Sequence, residues 1–358
     1  MKNIVYFLGA GFSKAYGYPL TTEIMPEILH TLLGGKLENL GGHRNRESEN
    51  ELLEYLYLIY PGLASLTKDN IKDFAAHIPN ITEVLSFVDH CCLYNVPPHP
   101  KLGEENLRVF QSLLKRALEE LLLNYEMTNY TDKENALLQM FFDPIRNEKR
   151  ESNVCIITTN YDLIIDEQFR DSAIEHRVNY GINYRNTETD ESELIYQSDN
   201  SLLRYYGSLN WVKCEYCGQY YINPYGSILH QTFEKKGKAD NTCICNDLLV
   251  LKSVMVTPSL VRDIRDSNLL QVWKGAMEAI RNADKLVFVG YSMPGEDLAI
   301  KSIIMRGVNG RQRKGELKVD VVSKGEGAKP NYQNLFGNRI SYYANGLEAY
   351  LQKQTPIN

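Results

Sequence analysis

No run of 18 or more apolar residues interrupts this chain, so no membrane-spanning helix is expected. Positive charge is not in excess. The 39 Lys and Arg against 45 Asp and Glu leave a formal charge of −6, without the basic surplus that phosphate-backbone binding demands, and direct nucleic-acid contact is not expected. Cysteine is scarce and odd in number, seven in 358 residues, which argues against a disulfide scaffold. The opening "NIVYFLGAG" enters a strand-like run without the charged, apolar and small-residue regions of a signal peptide, so a cytoplasmic protein without membrane partners is expected. Repeats of fixed period and low-complexity segments are missing too. With 43% hydrophobic side chains, the chain can bury a large core without staples.

What is present is a recurring order of strand, loop and helix. "IVYFLG" (Ile4 to Gly9) is a short apolar run ending in glycine, followed by the helix-compatible "TTEIMPEILHTLL". "NVCIITTNYD" (Asn153 to Asp162) is a β-branched run ending in polar residues, and "SLLRYYGSLNW" (Ser201 to Trp211) reads as a further strand with a glycine turn. "LKSVMVTP", "KLVFVG", "LKVDVVS" and "RISYYA" read as strands, alternating with helices in "NLLQVWKGAMEAIRNA" and "GLEAYLQ". This alternation predicts an α/β fold, a Rossmann-like doubly wound parallel sheet with helices on both faces. Residues 46–149 interrupt it with helical patterning. In "LRVFQSLLKRALEELLL", Leu107, Phe110, Leu114, Leu118, Leu121 and Leu122 share one face, for the core or for a partner. The expected organisation is a Rossmann-type domain from 1–45 and 150–358, a helical insertion at 46–149, and a small cysteine-containing lobe at 212–248. Residues 171–200 are polar, and their acid-rich part reads as a solvated loop.

Three loops carry the polar residues. In "GAGFS", Gly9 and Gly11 would let the backbone turn sharply and approach a pyrophosphate, with Ser13 adding a hydroxyl. The same pair also makes an ordinary tight turn, since it matches neither G-x-G-x-x-G nor a Walker lysine pattern. "TTNYD" sets Thr158, Thr159, Asn160 and Asp162 at the carboxyl end of a strand, where doubly wound sheets hold ligands; Asn160 or Asp162 could equally cap the helix that follows. "FVGYSMPGED" repeats the design with Gly290 and Ser292. Three such loops in one α/β chain point to an extended, phosphate-bearing ligand.

Cys214-x-x-Cys217 and, after 25 intervening residues, Cys243-x-Cys245 supply four thiolates, enough for a closed structural zinc site that leaves no open position for catalysis. The alternative is a set of reduced cysteines in a loop. Cys91, Cys92 and Cys155 sit in apolar contexts and read as core.

"GAGFS", "TTNYD", "YGSLNW" followed by "CEYCG", and "VGYSMPGED" together resemble, in order and approximate spacing, the sirtuin-like domains of bacterial NAD-consuming defence proteins. The resemblance runs from about residue 4 to 325, and its specificity lies in the series of four motifs. It implies an NAD site between a Rossmann-like domain and a small zinc or helical lobe. Gly9, Ala10, Gly11 and Ser13 would contact the pyrophosphate, with Asn160 and Asp162 at the nicotinamide ribose and carboxamide and Thr159 also among the cofactor-binding residues. Gly290 and Ser292 would contact phosphate or adenosine ribose, and Ser323 would read the adenosine ribose. Deacetylating sirtuins carry "DFR" after the glycine loop; here that place reads "LTT" (Leu20 to Thr22), which argues against deacetylation.

The resemblance breaks at Tyr206, which stands where the family has its histidine base. A phenol, ordinarily protonated at neutral pH, donates a hydrogen bond but is a poor base. His176 and His230, the histidines nearest in sequence, read as surface residues. The expected function is therefore NAD hydrolysis to nicotinamide and ADP-ribose in an antiphage, NAD-depleting system, with Asn160, Asp162 and Tyr206 at the reaction centre. The alternative is a catalytically silent NAD or ADP-ribose sensor that works with a partner, such as a helicase-type ATPase or an Argonaute. A homo-oligomer is also expected, with residues 104–125 the first surface suspected.

Overall fold

The computed structural model describes residues 2–34, 46–126, 130–148, 152–170, 178–187, 192–193, 201–223, 226, 242–260, 265–295, 297–311 and 315–354. His176 and His230 lie outside them. Among the described residues, no helix is long and apolar enough to cross a membrane.

The chain opens with β1 (Lys2–Leu8), the short helix α1 (Ala10–Lys14) and α2 (Thr21–Gly34). Four helices follow: α3 (Arg46–Ile59), α4 (Ile81–Tyr94), α5 (Glu104–Glu126) and α6 (Asp132–Glu148). Then come β2 (Ser152–Thr158), α7 (Ile164–Arg170), β3 (Tyr184–Asn186), β4 (Ser192–Glu193), β5 (Ser201–Arg204), β6 (Gly207–Lys213) and β7 (Tyr220–Ile222). A hairpin of β8 (Thr242–Cys243) and β9 (Asn246–Val250) precedes β10 (Lys252–Met255) and α8 (Ser267–Asn282). The last third alternates β11 (Lys285–Val289), α9 (Leu298–Asn309), β12 (Lys318–Val322), α10 (Lys329–Phe336), β13 (Ile340–Tyr343) and α11 (Gly346–Gln354).

Six of the strands form one parallel sheet in the order β13-β12-β11-β1-β2-β5. Numbered by their sequence within that sheet, the strands run 6-5-4-1-2-3, the doubly wound order of a Rossmann fold. The order reverses between β1 and β11, and ligand crevices open outside the carboxyl ends of strands at such a switch point. The expected fold class is what forms. Strand β11 is buried over Leu286–Val289 and β12 over Val319–Val322, as a parallel sheet covered on both faces requires.

The insertion helices are locally specified. Asn80 caps α4 by accepting from the Glu83 N–H at 2.9 Å, and Asn95 ends it in the left-handed conformation. All six apolar residues read onto one face of α5 are buried. Helix α6 packs on the sheet itself, with the Phe141 ring 5.5 Å from Tyr6 of β1 and 5.1 Å from Phe12.

A second sheet, β10-β6-β7-β3-β4, has no counterpart in the sequence reading. "SLLRYYGSLNW" divides into β5, in the parallel sheet, and β6, in the second one. Gly207 makes the corner: its φ is +77° and a Cβ there would lie 1.9 Å from the Val254 carbonyl oxygen. The segment 171–200 is not polar throughout, because Val178, Tyr180, Ile182 and Tyr184 are buried and β3 joins this sheet. Its acid-rich part lies outside the described residues except for Ser192 and Glu193 in β4. Of the remaining cysteines, Cys91 is buried and Cys92 and Cys155 are half-buried against the core.

Candidate functional site

The loops after β1, β2 and β11 meet at the switch point. The Gly9 N–H donates to the Val289 carbonyl at 3.0 Å and the Gly11 N–H to the Gly290 carbonyl at 2.8 Å. Side chains are excluded here: a Cβ on Gly9 would lie 2.6 Å from the Tyr291 Cα. The glycines of "GAGFS" thus let two backbones touch, and their N–H groups are spent on that contact.

Asn160 and Ser13 then meet. The Asn160 side-chain amide donates to the Gly9 carbonyl at 2.9 Å and to Ser13 Oγ at 2.7 Å. Ser13 in turn donates to Asp162 Oδ2 at 2.6 Å. Both amide hydrogens being committed inside the protein, what Asn160 offers a ligand is Oδ1, an acceptor. Asp162, 4% exposed, also accepts from the Ile164 N–H at 3.3 Å and so starts α7. Capping and site-building, which the sequence leaves as alternatives, coincide in this residue. Burial pushes the Asp162 carboxyl above the usual carboxylate range, with Arg204 and the Ser13 hydroxyl opposing the rise.

A buried ion pair fixes the loop from behind. Arg204, at the end of β5, pairs with Asp166 of α7, both side chains being 1% exposed. Its Nη1 donates to the Asn160 carbonyl at 3.1 Å. Tyr180 and Asn210 also donate to Asp166, Asn210 at 3.2 Å.

Tyr206, 4% exposed at the β5–β6 corner, donates to Asp297 Oδ1 at 2.8 Å, and Tyr291 donates to Oδ2 at 2.9 Å. Asp297 stands at the N-cap of α9 yet makes no capping hydrogen bond with its side chain. A capping aspartate contributes about 1 kcal/mol to a helix, and here the carboxylate turns to the two phenols instead. Burial, followed by the Asp297 charge, pushes the Tyr291 hydroxyl well above its usual value, which keeps it a donor.

These groups open into a cavity of about 810 Å³. On the sheet side it is lined by Ala10, Ser13, Thr159, Asn160, Asp162, Tyr206, Gly290, Tyr291, Ser292 and Asp297. Asn80, Thr82, Glu83, Ser86, Phe87 and His90 of α4 and its cap line it as well, with Thr21, Thr22 and Ile24 of α2. Ser86 Oγ accepts from the Leu260 N–H at 2.8 Å, tying α4 to the segment after β10. Of the sequence-derived candidates, Gly9 and Gly11 support the cavity without lining it. Ser323 sits one strand along, its N–H donating to the Tyr343 carbonyl at 3.0 Å.

The sequence pattern does not single out Asp297, Tyr291, Arg204 or the α4 residues. The only local signal for Asp297 is its place in "PGED", which reads as a helix start; nothing in sequence ties His90 to the strand ends.

The four cysteines converge. Cys214 and Cys217 flank the turn from β6 to β7, Cys243 and Cys245 that from β8 to β9, and the four sulfurs lie within 4.8 Å of one another. Cys214 and Cys245 are 3.8 Å apart and Cys217 and Cys243 3.5 Å. A tetrahedron of thiolates 2.3 Å from a zinc ion has an edge of about 3.8 Å, so the donor set fits that metal. The Tyr221 hydroxyl accepts from the Ile244 N–H at 3.1 Å and lies 3.3 Å from Cys243 Sγ, positioned to donate to a ligating sulfur.

No protein-family model and no curated protein matches the chain. Among solved structures it is similar to one described under the mechanism and regulation of Sir2 enzymes, with 13% identity, 98% of this chain and 90% of that one covered, and a TM-score of 0.41. It is also similar to a mutant Sir2 homologue in complex with ADP-ribose (14% identity, 99% and 94% covered, TM-score 0.38). A third concerns sirtuin substrate affinity (12% identity, 98% and 90% covered, TM-score 0.35). Identities and TM-scores this low leave the chemistry of the site to be read from its own residues.

Proposed function

We propose that the chain binds NAD in the cavity at the switch point and hydrolyses its nicotinamide–ribose bond to nicotinamide and ADP-ribose, acting in the cytoplasm within an NAD-depleting antiphage system. The observation that carries this reading is the hydrogen-bonded chain Asn160–Ser13–Asp162 at the carboxyl edge of a Rossmann-ordered sheet. Cleavage builds positive charge at the ribose carbon, so a site must hold the diphosphate, fix the leaving group and admit water. Asn160 Oδ1 would accept from a ribose hydroxyl or the attacking water. Ala10, Gly290 and Ser292 would face the diphosphate and adenosine ribose, with Gly9 and Gly11 shaping that loop and Ser323 next along the same edge. Thr159 and Asp162 would lie toward the nicotinamide. Cys214, Cys217, Cys243 and Cys245 would hold a zinc ion that stabilises the second sheet and takes no part in the chemistry.

A second reading, a silent NAD or ADP-ribose sensor, is favoured by the residue type at Tyr206, since a phenol by itself is a poor base at neutral pH. Such a subunit would act as a homo-oligomer or through a separate helicase-type ATPase or Argonaute.

Incubation of the purified protein with NAD, with nicotinamide and ADP-ribose quantified, separates the two. A hydrolase releases both, and Asn160→Ala lowers the rate by about 10²-fold or more. A sensor binds NAD or ADP-ribose saturably without turnover, and absence of binding removes both readings.

A further inference from the structure

We propose that Tyr206 and Asp297 form a proton relay that serves as the base of this site in place of an imidazole, an inference that rests on the NAD-cleaving reading. Both residues line the cavity that holds Asn160, and both are buried, at 4% and 7% exposure.

Their geometry is built from several sides. The Asp297 carboxylate leaves its own helix N-terminus uncapped and accepts two phenolic hydrogens, at 2.8 Å from Tyr206 and 2.9 Å from Tyr291. Tyr291 bonds Oδ2 and Tyr206 bonds Oδ1, so the two phenols orient the carboxylate together. The Tyr206 backbone is pinned as well: its carbonyl accepts from the Val256 N–H at 2.9 Å, and Gly207 beside it fills a corner with no room for a Cβ. A lone phenol is a poor base because it has no place to send its own proton. Here that proton already points at a carboxylate.

The step balances without a co-reactant. Water's oxygen bonds to the ribose carbon as the bond from that carbon to the pyridinium nitrogen breaks, and the bonding pair goes to the nitrogen, releasing neutral nicotinamide. The water proton passes to Tyr206 Oη while the phenolic proton moves to Asp297 Oδ1. Asp297 later releases it to solvent. The sum is NAD⁺ and water giving nicotinamide, ADP-ribose and one proton.

Four variants test the relay by steady-state release of nicotinamide from NAD, with NAD binding and thermal unfolding measured on each. Tyr206→Phe removes one oxygen, whereas Asp297→Asn keeps an acceptor for the phenol but takes up no proton. Each is expected to lower kcat by about 10²-fold or more with KM changed less than about threefold, and the double variant to be no slower than the worse single one. Tyr206→Phe cleaving NAD at the parent's rate would overturn the relay. A silent parent beside an active Tyr206→His overturns it too, while leaving the NAD reading intact. If both are silent, the relay and the hydrolase reading fall together. Tyr206→Phe carries the test should Asp297→Asn unfold at lower temperature.

Discussion

Gly11 donates its N–H to the carbonyl of Gly290 at 2.8 Å, and a Cβ on either residue would lie within 3 Å of the other's backbone. Gly290 also has a φ of +64°. Gly290→Ala therefore meets both a strained left-handed conformation and a clash, and is expected to cost more than about 2 kcal/mol in urea unfolding. NAD affinity by calorimetry should fall with it, since Ala10 and Ser13 ride on the displaced loop. Unchanged stability would mean the two loops can part without penalty.

Arg204→Met leaves Asp166 charged and buried without its partner. Breaking a buried pair in this way costs about 3–5 kcal/mol, and that loss is expected in urea unfolding. Arg204→Met with Asp166→Leu should recover part of it. A double variant as unstable as the single would show that Tyr180, Asn210 and the Asn160 carbonyl, the other groups around the pair, carry the cost.

Glu126, at the end of α5, accepts from the Tyr18 hydroxyl at 2.8 Å. Burial pushes its carboxyl up to about 8 from a usual value near 4.5, with Glu167 and Asp162 adding to the rise and the Tyr18 and Leu163 donors opposing it. The folded chain then keeps a proton that the unfolded chain releases. This contribution to stability is fully present below pH 4.5, declines as pH rises, and levels off above about 8. Between pH 5 and 8 the loss is at most about 4 kcal/mol, at 1.36 kcal/mol per unit. Glu126→Gln should flatten that part of the pH–stability curve; a parallel curve would refute the assignment.

Zinc should be present at about one ion per chain by elemental analysis, and Cys214→Ser should lower it to less than about a tenth. Hydrogen exchange is expected to accelerate in β6, β7, β8 and β9 while β1 and β11 keep their protection. Full protection of the hairpins without metal would show that the cysteines pack as thiols.

The strand-loop-helix units were legible because their signals are local: an apolar run, then glycine or polar residues, then helical spacing. The second sheet was not, since β3 finds β7 across 33 intervening residues with three-residue strands too short for a period to emerge. The site divides in the same way. Ser13, Asn160 and Asp162 announced themselves at strand ends. Arg204 lay inside a strand pattern and Asp297 at a helix start, where a charge usually has a local purpose, so only the folded chain reveals their partners. His90 and Glu83 reach the cavity through the packing of α4 against α2 and α5, which no spacing records.

The cavity is lined by the strand-end loops, by the start of α2 and by α4, so its width depends on where α4 sits relative to those loops. Whatever fills it bridges them, and an occupant of fixed length favours one separation over others. A bound protein that held α4 in a position the occupant favours or disfavours would change the cavity's affinity for that occupant. Thermodynamic reciprocity then requires the occupant to change that protein's affinity by the same factor.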